Sequence, residues 1–145
     1  MACGPWARQR IGGGRGRIHL VTRFYRIDEA TELLGEVEPI LERLRDERSQ
    51  LIGLRDEVDA TDDAETIGAL RLRMQGVIDQ MQADVGRLDG WDISLRDIRS
   101  GLIDFPALAG GRQVWLCWRL GETVIDWWHE LDDGFGGRRP LLELT

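Results

Sequence analysis

From Ile27 onward the apolar positions of this chain fall at helical spacings. Ala30, Leu33, Leu34, Val37, Ile40, Leu41, Leu44, Leu51, Leu54 and Val58 form one stripe, and Ala30, Val37, Leu44, Leu51 and Val58 share one heptad position. The other seam position turns polar at Glu47 and Arg48. Gly35, Pro39 and Gly53 weaken this helix but leave its period intact. Pro39 lacks a backbone donor, which predicts a kink or a frayed first turn there. The pattern breaks at residues 59–62 (DATD), and Asp62 with Glu65 has capping-box spacing. A second stripe follows at Ile67, Leu70, Met74, Val77, Met81, Val85 and Leu88, closed by Gly90 as a helix stop. So short a connection makes the two helices antiparallel neighbours. Each stripe is narrow, so the pair buries one seam and keeps an apolar shoulder for a third surface.

After Gly90 the period becomes two. Ile93 and Leu95 alternate with Ser94 and Arg96; Leu102 to Phe105 forms a second strand stopped by Pro106; Val114 to Arg119 and Thr123 to His129 form two more. The connections are Arg99-Ser100, the loop ALAGG and Gly121-Glu122, short enough to allow only antiparallel neighbours. The fold class expected is therefore α+β: a two-helix hairpin over residues 27–89, packed on a meander of three or four strands over 91–129, with 130–145 as a C-terminal loop segment. Residues 18–145 form one domain on this reading, and 1–17, rich in Gly and Arg, form a disordered basic extension.

A register follows if Gly121-Glu122 is a two-residue turn. Leu120 then pairs with Thr123, Trp118 with Ile125, Leu116 with Trp127 and Val114 with His129, all on a core face toward the helices. Arg119, Cys117 and Trp115 would oppose Val124, Asp126 and Trp128 on the outer face. Trp115 and Trp128 would then form an exposed apolar patch, covered either by the C-terminal segment or by a second copy of the chain. A slip of one residue would exchange the two faces.

Charge narrows the partners. The net charge is −7, and Arg supplies all 19 basic residues. The first 26 residues hold six Arg and no acid, whereas residues 27–90 hold seven Arg and 17 acids. An acidic body disfavours nucleic acid, because affinity for phosphate backbones rests on clustered cations. No apolar run approaches the roughly 18 residues of a membrane span. No apolar leader of the secretory kind opens the chain, and its two cysteines, Cys3 and Cys117, do not frame a disulfide scaffold. A cytoplasmic protein is expected.

Reactive side chains concentrate in the second half. The candidate polar site comprises Asp104, Glu122, His129, Glu130 and Arg138. His129-Glu130 begins like H-E-x-x-H, but position 133 is Asp, so the zinc-protease motif is not met. His129 and Asp133 would share an ion only on a helix, which Gly134, Gly136 and Gly137 oppose. No metal set and no cofactor are assigned. Cys117 and His129 would fall on opposite sheet faces, which argues against a nucleophile–base pair. Gly134-Phe135-Gly136-Gly137 before Arg138-Arg139 reads first as a loop whose arginines pair with acids, and second as an anion cradle.

A family resemblance rests on Glu29-Ala30, the string Gly101-Leu102-Ile103-Asp104-Phe105-Pro106, Leu116-Cys117-Trp118, Gly121-Glu122, Trp128-His129-Glu130, Gly134-Phe135, Gly137-Arg138 and Pro140. With them, residues 25–145 resemble a family of short prokaryotic proteins, domain of unknown function 2203. The resemblance implies a grouping and no activity. Arg26 stands where the resembling pattern prefers a capping Thr. The leading expectation for function is a cytoplasmic interaction or assembly protein, a homodimer through Trp115 and Trp128. The alternative is a small-ligand- or metal-binding protein or minor enzyme with its site around His129 and Glu130.

Overall fold

The computed structural model describes residues 23–144, together with the backbone of Gln9–Arg10 and Ile18–His19. These two pairs are strands β1 and β2, joined antiparallel. The rest of the extension expected to be disordered, with Cys3 and Trp6, lies outside the described residues.

Helix α1 runs Ile27–Asp59 and helix α2 runs Ala64–Gly90. Arg26 gives α1 no side-chain acceptor, but its own backbone N–H donates to Glu29 Oε1 at 3.1 Å, half of a capping box. Helix α1 continues through Pro39, which lies on the exposed side, where a missing donor strands no buried partner. The cap of α2 is Asp63, one residue beyond the expected Asp62, with its Oδ2 accepting from the Thr66 N–H at 2.9 Å. Ala30, Leu34, Val37, Ile40, Leu41 and Leu44 of α1 and Leu88 of α2 are buried against the sheet. Further out the seam narrows to Leu54 and Leu70, and Arg43 crosses it to Asp84 at 2.7 Å.

The sheet is α+β as expected, with five antiparallel strands rather than three or four. Its order is β3 (Ser94–Asp97), β4 (Leu102–Ala109), β5 (Arg112–Arg119), β6 (Trp127–His129) and β7 (Arg139–Pro140). The added strand β7 lies in the segment read as a C-terminal loop; it pairs with β6, and Pro140 O accepts from Trp128 Nε1 at 3.2 Å.

Two corrections concern turns. Strand β4 does not stop at Pro106 but runs to Ala109. The Pro106 carbonyl accepts from Tyr25 N at 2.8 Å, away from β5, so the missing Pro N–H falls on the same open flank and costs no ladder bond. Gly110 (φ 58°) and Gly111 (φ 83°) then form a two-residue turn between the paired Ala109 and Arg112. Positive φ at both central positions matches the twist of a hairpin.

The second correction is a register slip. Trp115 pairs with His129, Leu116 with Trp128 and Cys117 with Trp127. Gly121-Glu122 is not a two-residue hairpin: Glu122 N–H bonds to Arg119 O at 3.0 Å, and Glu122 Oε1 takes the Arg119 N–H at 2.7 Å. The carboxylate thus ends the β5 ladder, the chain detours through buried Ile125, and β6 starts only at Trp127. As a result Val114, Leu116, Trp118 and Trp128 share the helix-facing core with Ile103 and Phe105. Cys117 and His129 share the opposite face, contrary to the expected arrangement. Trp115 and Trp128 are 1 % and 2 % exposed, so no Trp patch stands open on the sheet.

Candidate functional site

The outer face of the sheet carries the site. Cross-strand pairing lines up Ser94, Asp104, Cys117 and Trp127 across four strands. His129, opposite Trp115, is the diagonal neighbour of Cys117, near enough for side-chain contact. Asp104 occupies a polar position between Ile103 and Phe105, whose side chains both go to the core, so strand alternation alone sends the carboxylate outward. The loop Leu131–Phe135 passes over this face and closes a cleft of about 180 Å³, with Asp104, Cys117 and His129 in its lining and Arg96 beside them.

Asp104 is the hub. Its Oδ2 accepts from Arg96 Nε at 2.7 Å and from His129 Nε2 at 2.9 Å. Its Oδ1 is buried and has no hydrogen-bond partner. The side chains of Asp104 and His129 are only 2 % and 3 % exposed, while Arg96 reaches the surface and lies over the Trp115 ring at 4.9 Å. A buried carboxylate with one satisfied oxygen and one bare oxygen is an unusual state, because an unmet acceptor retains its desolvation penalty.

The protons of His129 follow from its neighbours. Nδ1 lies 2.8 Å from the Glu130 carbonyl oxygen, which can only accept, so Nδ1 carries a proton. Nε2 lies 2.9 Å from the Asp104 oxygen that also accepts from Arg96. Burial pushes the imidazole toward the neutral form, but the Asp104 hydrogen bond and charge, helped by the Glu130 carbonyl, outweigh it and raise the His129 pKa above its usual value. Cys117 goes the other way. Burial first, and then the Asp104 charge, push its thiol up to about 12, so it is neutral at physiological pH. A neutral thiol is a poor nucleophile, and a histidine with both nitrogens engaged is a poor base.

The five expected site residues divide into three groups. Asp104 and His129 meet in the cleft. Glu122 and Arg138 meet each other, Arg138 Nη2 donating to Glu122 Oε1 at 2.6 Å, with the guanidinium over the Trp127 and Phe135 rings at 5.0 and 4.7 Å. This pair borders the site through Arg138 Nη2, which also reaches the Cys117 carbonyl at 3.4 Å. The reading of these arginines as partners of nearby acids therefore describes Arg138, and the anion cradle does not form around it. Glu130 turns its carboxylate to Arg112 at 2.8 Å and contributes only its carbonyl to His129. Two residues were missed. Arg96 is legible as a polar neighbour of Leu95 in an alternating strand, and Cys117 lies on the expected face, but only the observed slip brings His129 to that face as well.

Asp104, Cys117 and His129 form a potential ligand set. One ligand atom from each lies within 4.8 Å of the others, and all three residues are buried. The family model described as "Uncharacterized conserved protein (DUF2203)" matches residues 23–141. The chain belongs to the DUF2203 family. No curated protein and no solved structure matches it. The matched span of this DUF2203 protein runs from before α1 through β7, so the whole cleft lies within the family domain. No described helix of the DUF2203 chain is long and apolar enough to cross a membrane.

Proposed function

We propose that this DUF2203 protein is a small-ligand-binding protein whose site is the outer-face cleft around Asp104. One observation carries the reading: Asp104 is held by Arg96 and His129 through one oxygen, while its other oxygen stays buried, without a hydrogen-bond partner, in a residue that lines the cleft. An evolved interior seldom leaves such an acceptor unmet without a ligand, water or ion to meet it. The pocket has the usual composition of a binding site, apolar walls such as Leu102 and Phe135 around a few convergent polar groups. The neutral thiol and the doubly engaged imidazole support binding over acyl transfer. A reducing, cytoplasmic setting suits the free Cys117.

The test is native mass spectrometry of the untagged protein purified without chelator. A stoichiometric extra mass, lost in Asp104→Asn, is expected. A bare chain mass, with no added small molecule or ion raising the melting temperature, overturns the reading.

A second reading, self-association, is favoured by a different feature. Beyond Leu44 the hairpin fully buries few side chains, and Ile52, Val58, Ile67, Met74 and Ile78 are only partly buried. A homodimer through these arms, rather than through Trp115 and Trp128, would cover them. A native mass of two chains that reverts to one in Ile52→Glu/Ile78→Glu supports it; a single-chain mass at working concentration refutes it.

A further inference from the structure

We infer that the ligand of the cleft is a divalent transition metal of the zinc class, held by a carboxylate oxygen of Asp104, Sγ of Cys117 and Nε2 of His129. The inference rests on the cleft being the binding site and names what it binds.

Geometry comes first. Zinc binds sulfur at ~2.3 Å and nitrogen or oxygen at ~2.0–2.2 Å, so tetrahedral ligand atoms stand roughly 3.3–3.7 Å apart. The three atoms here lie within 4.8 Å of one another, so a contraction of about an ångström closes the set. They come from three adjacent strands, β4, β5 and β6, with His129 as the last residue of β6, and the ladder between those strands sets their spacing.

The surroundings match what supports a metal ligand. A ligating histidine usually donates its other ring N–H to a carbonyl or carboxylate, which fixes the tautomer and aims the free nitrogen. His129 does this through Nδ1 to the Glu130 carbonyl at 2.8 Å, leaving Nε2 to face the cluster. A ligating carboxylate is commonly hydrogen-bonded on its other oxygen. Arg96 at 2.7 Å supplies that bond on Asp104 Oδ2, and the bare Oδ1 remains to bind. Three protein ligands beside an open cleft leave the fourth position for water or a small ligand.

The donor types choose the metal. One thiol, one imidazole and one carboxylate form a borderline set that suits zinc and its neighbours, whereas calcium and magnesium want oxygen alone. Entry of the ion replaces the Sγ–H and Nε2–H protons, which pass to solvent. Ligation needs a thiolate and a neutral imidazole nitrogen, so binding is weakened by acid, and Arg96 and Asp133 line the same cleft.

The probe is cobalt(II), added to full-length protein after dialysis against chelator, with zinc as competitor. One equivalent producing a thiolate-to-cobalt charge-transfer band and tetrahedral ligand-field bands, both abolished by zinc, is the expected result. Cys117→Ser should lose the charge-transfer band and weaken binding at least about tenfold, the lower bound for changes one layer out from a metal. Glu47→Gln, in the helical arm, should behave as wild type. X-ray absorption of the zinc-loaded wild type needs no variant and should report one sulfur with nitrogen or oxygen neighbours. Sulfur-free zinc, or a charge-transfer band unchanged in folded Cys117→Ser, overturns the inference. If cobalt gives no band while native mass spectrometry still retains an organic mass lost in Asp104→Asn, the metal is wrong and the cleft stands. If neither binds, both fall.

Discussion

His129 and Asp104 are 25 residues apart in sequence and meet at 2.9 Å in the interior, Nε2 against Oδ2. Arg96 shares the same oxygen at 2.7 Å. Two nitrogen partners on one carboxylate oxygen tie together the outer face of three strands and leave the second oxygen bare. The stability of the metal-free protein and the chemistry of the cleft both depend on this arrangement.

Asp104→Asn should destabilise the metal-free protein by about 3 kcal/mol, because it leaves a buried cationic partner without its counter-charge. Denaturant unfolding measures this directly. Asp126→Asn, at an exposed position just before β6, should stay within about 0.5 kcal/mol of wild type. Equal losses in the two variants would contradict the assignment of Asp104 as the hub.

The His129 contribution depends on pH in a definite direction. Its folded pKa lies above the ordinary value of about 6.5, so the bond's stabilisation is complete below that value and fades as pH rises through the folded pKa. In chelated buffer, the stability difference between wild type and His129→Gln should therefore be larger near about pH 5.5 than near about pH 8.5. A difference that grows with pH would mean that His129 is buried neutral.

The strand register has its own test. Trp128→Ser should cost about 3–5 kcal/mol, since Trp128 packs in the helix-facing core. An outward-facing Trp128 would instead make the substitution nearly neutral for unfolding and visible only in association. Urea unfolding and native mass, measured on the same sample, separate the two.

The reasons for that register mark what the chain discloses locally. The helical hairpin is legible because Ala30, Val37, Leu44 and their partners keep one period over many turns, and no alternative pairing offers as large a buried face. The antiparallel sheet is legible from its short connections. The register is not, because Gly110-Gly111 and Gly121-Glu122 both have the composition of a two-residue hairpin turn and only one of them forms it. Gly110-Gly111 takes it, with positive φ at both positions, whereas Gly121-Glu122 is drawn into a wider loop by the Glu122 carboxylate on Arg119 N–H. Trp127 and Trp128 are equally apolar, so hydrophobicity cannot say which of them faces the helices. Asp104, His129, Glu122 and Arg138 stand out as polar residues within strands or beside aromatics, but their division into a buried cluster and a bordering ion pair depends on the slip. Cys117 belongs with His129 only in the register that the Glu122 loop imposes.

Gly101 is a backbone requirement rather than a linker residue. Its φ is +66°, and a Cβ there would sit 2.6 Å from Leu120 Cβ. Gly101→Ala should destabilise by about 1–3 kcal/mol, from left-handed backbone strain together with the clash. Gly53→Ala, on an open face of α1, should be neutral or stabilising by about 1 kcal/mol. Thermal unfolding of the pair in one buffer checks both signs.

The most direct measurement is a crystal structure of the zinc-soaked protein, with anomalous data collected across the zinc edge. One peak within bonding distance of Asp104, Cys117 Sγ and His129 Nε2, with Arg96 still on Asp104 Oδ2, is the result this account predicts. An ordered cleft with no peak there, or peaks confined to exposed carboxylates of the helical arm, would contradict it.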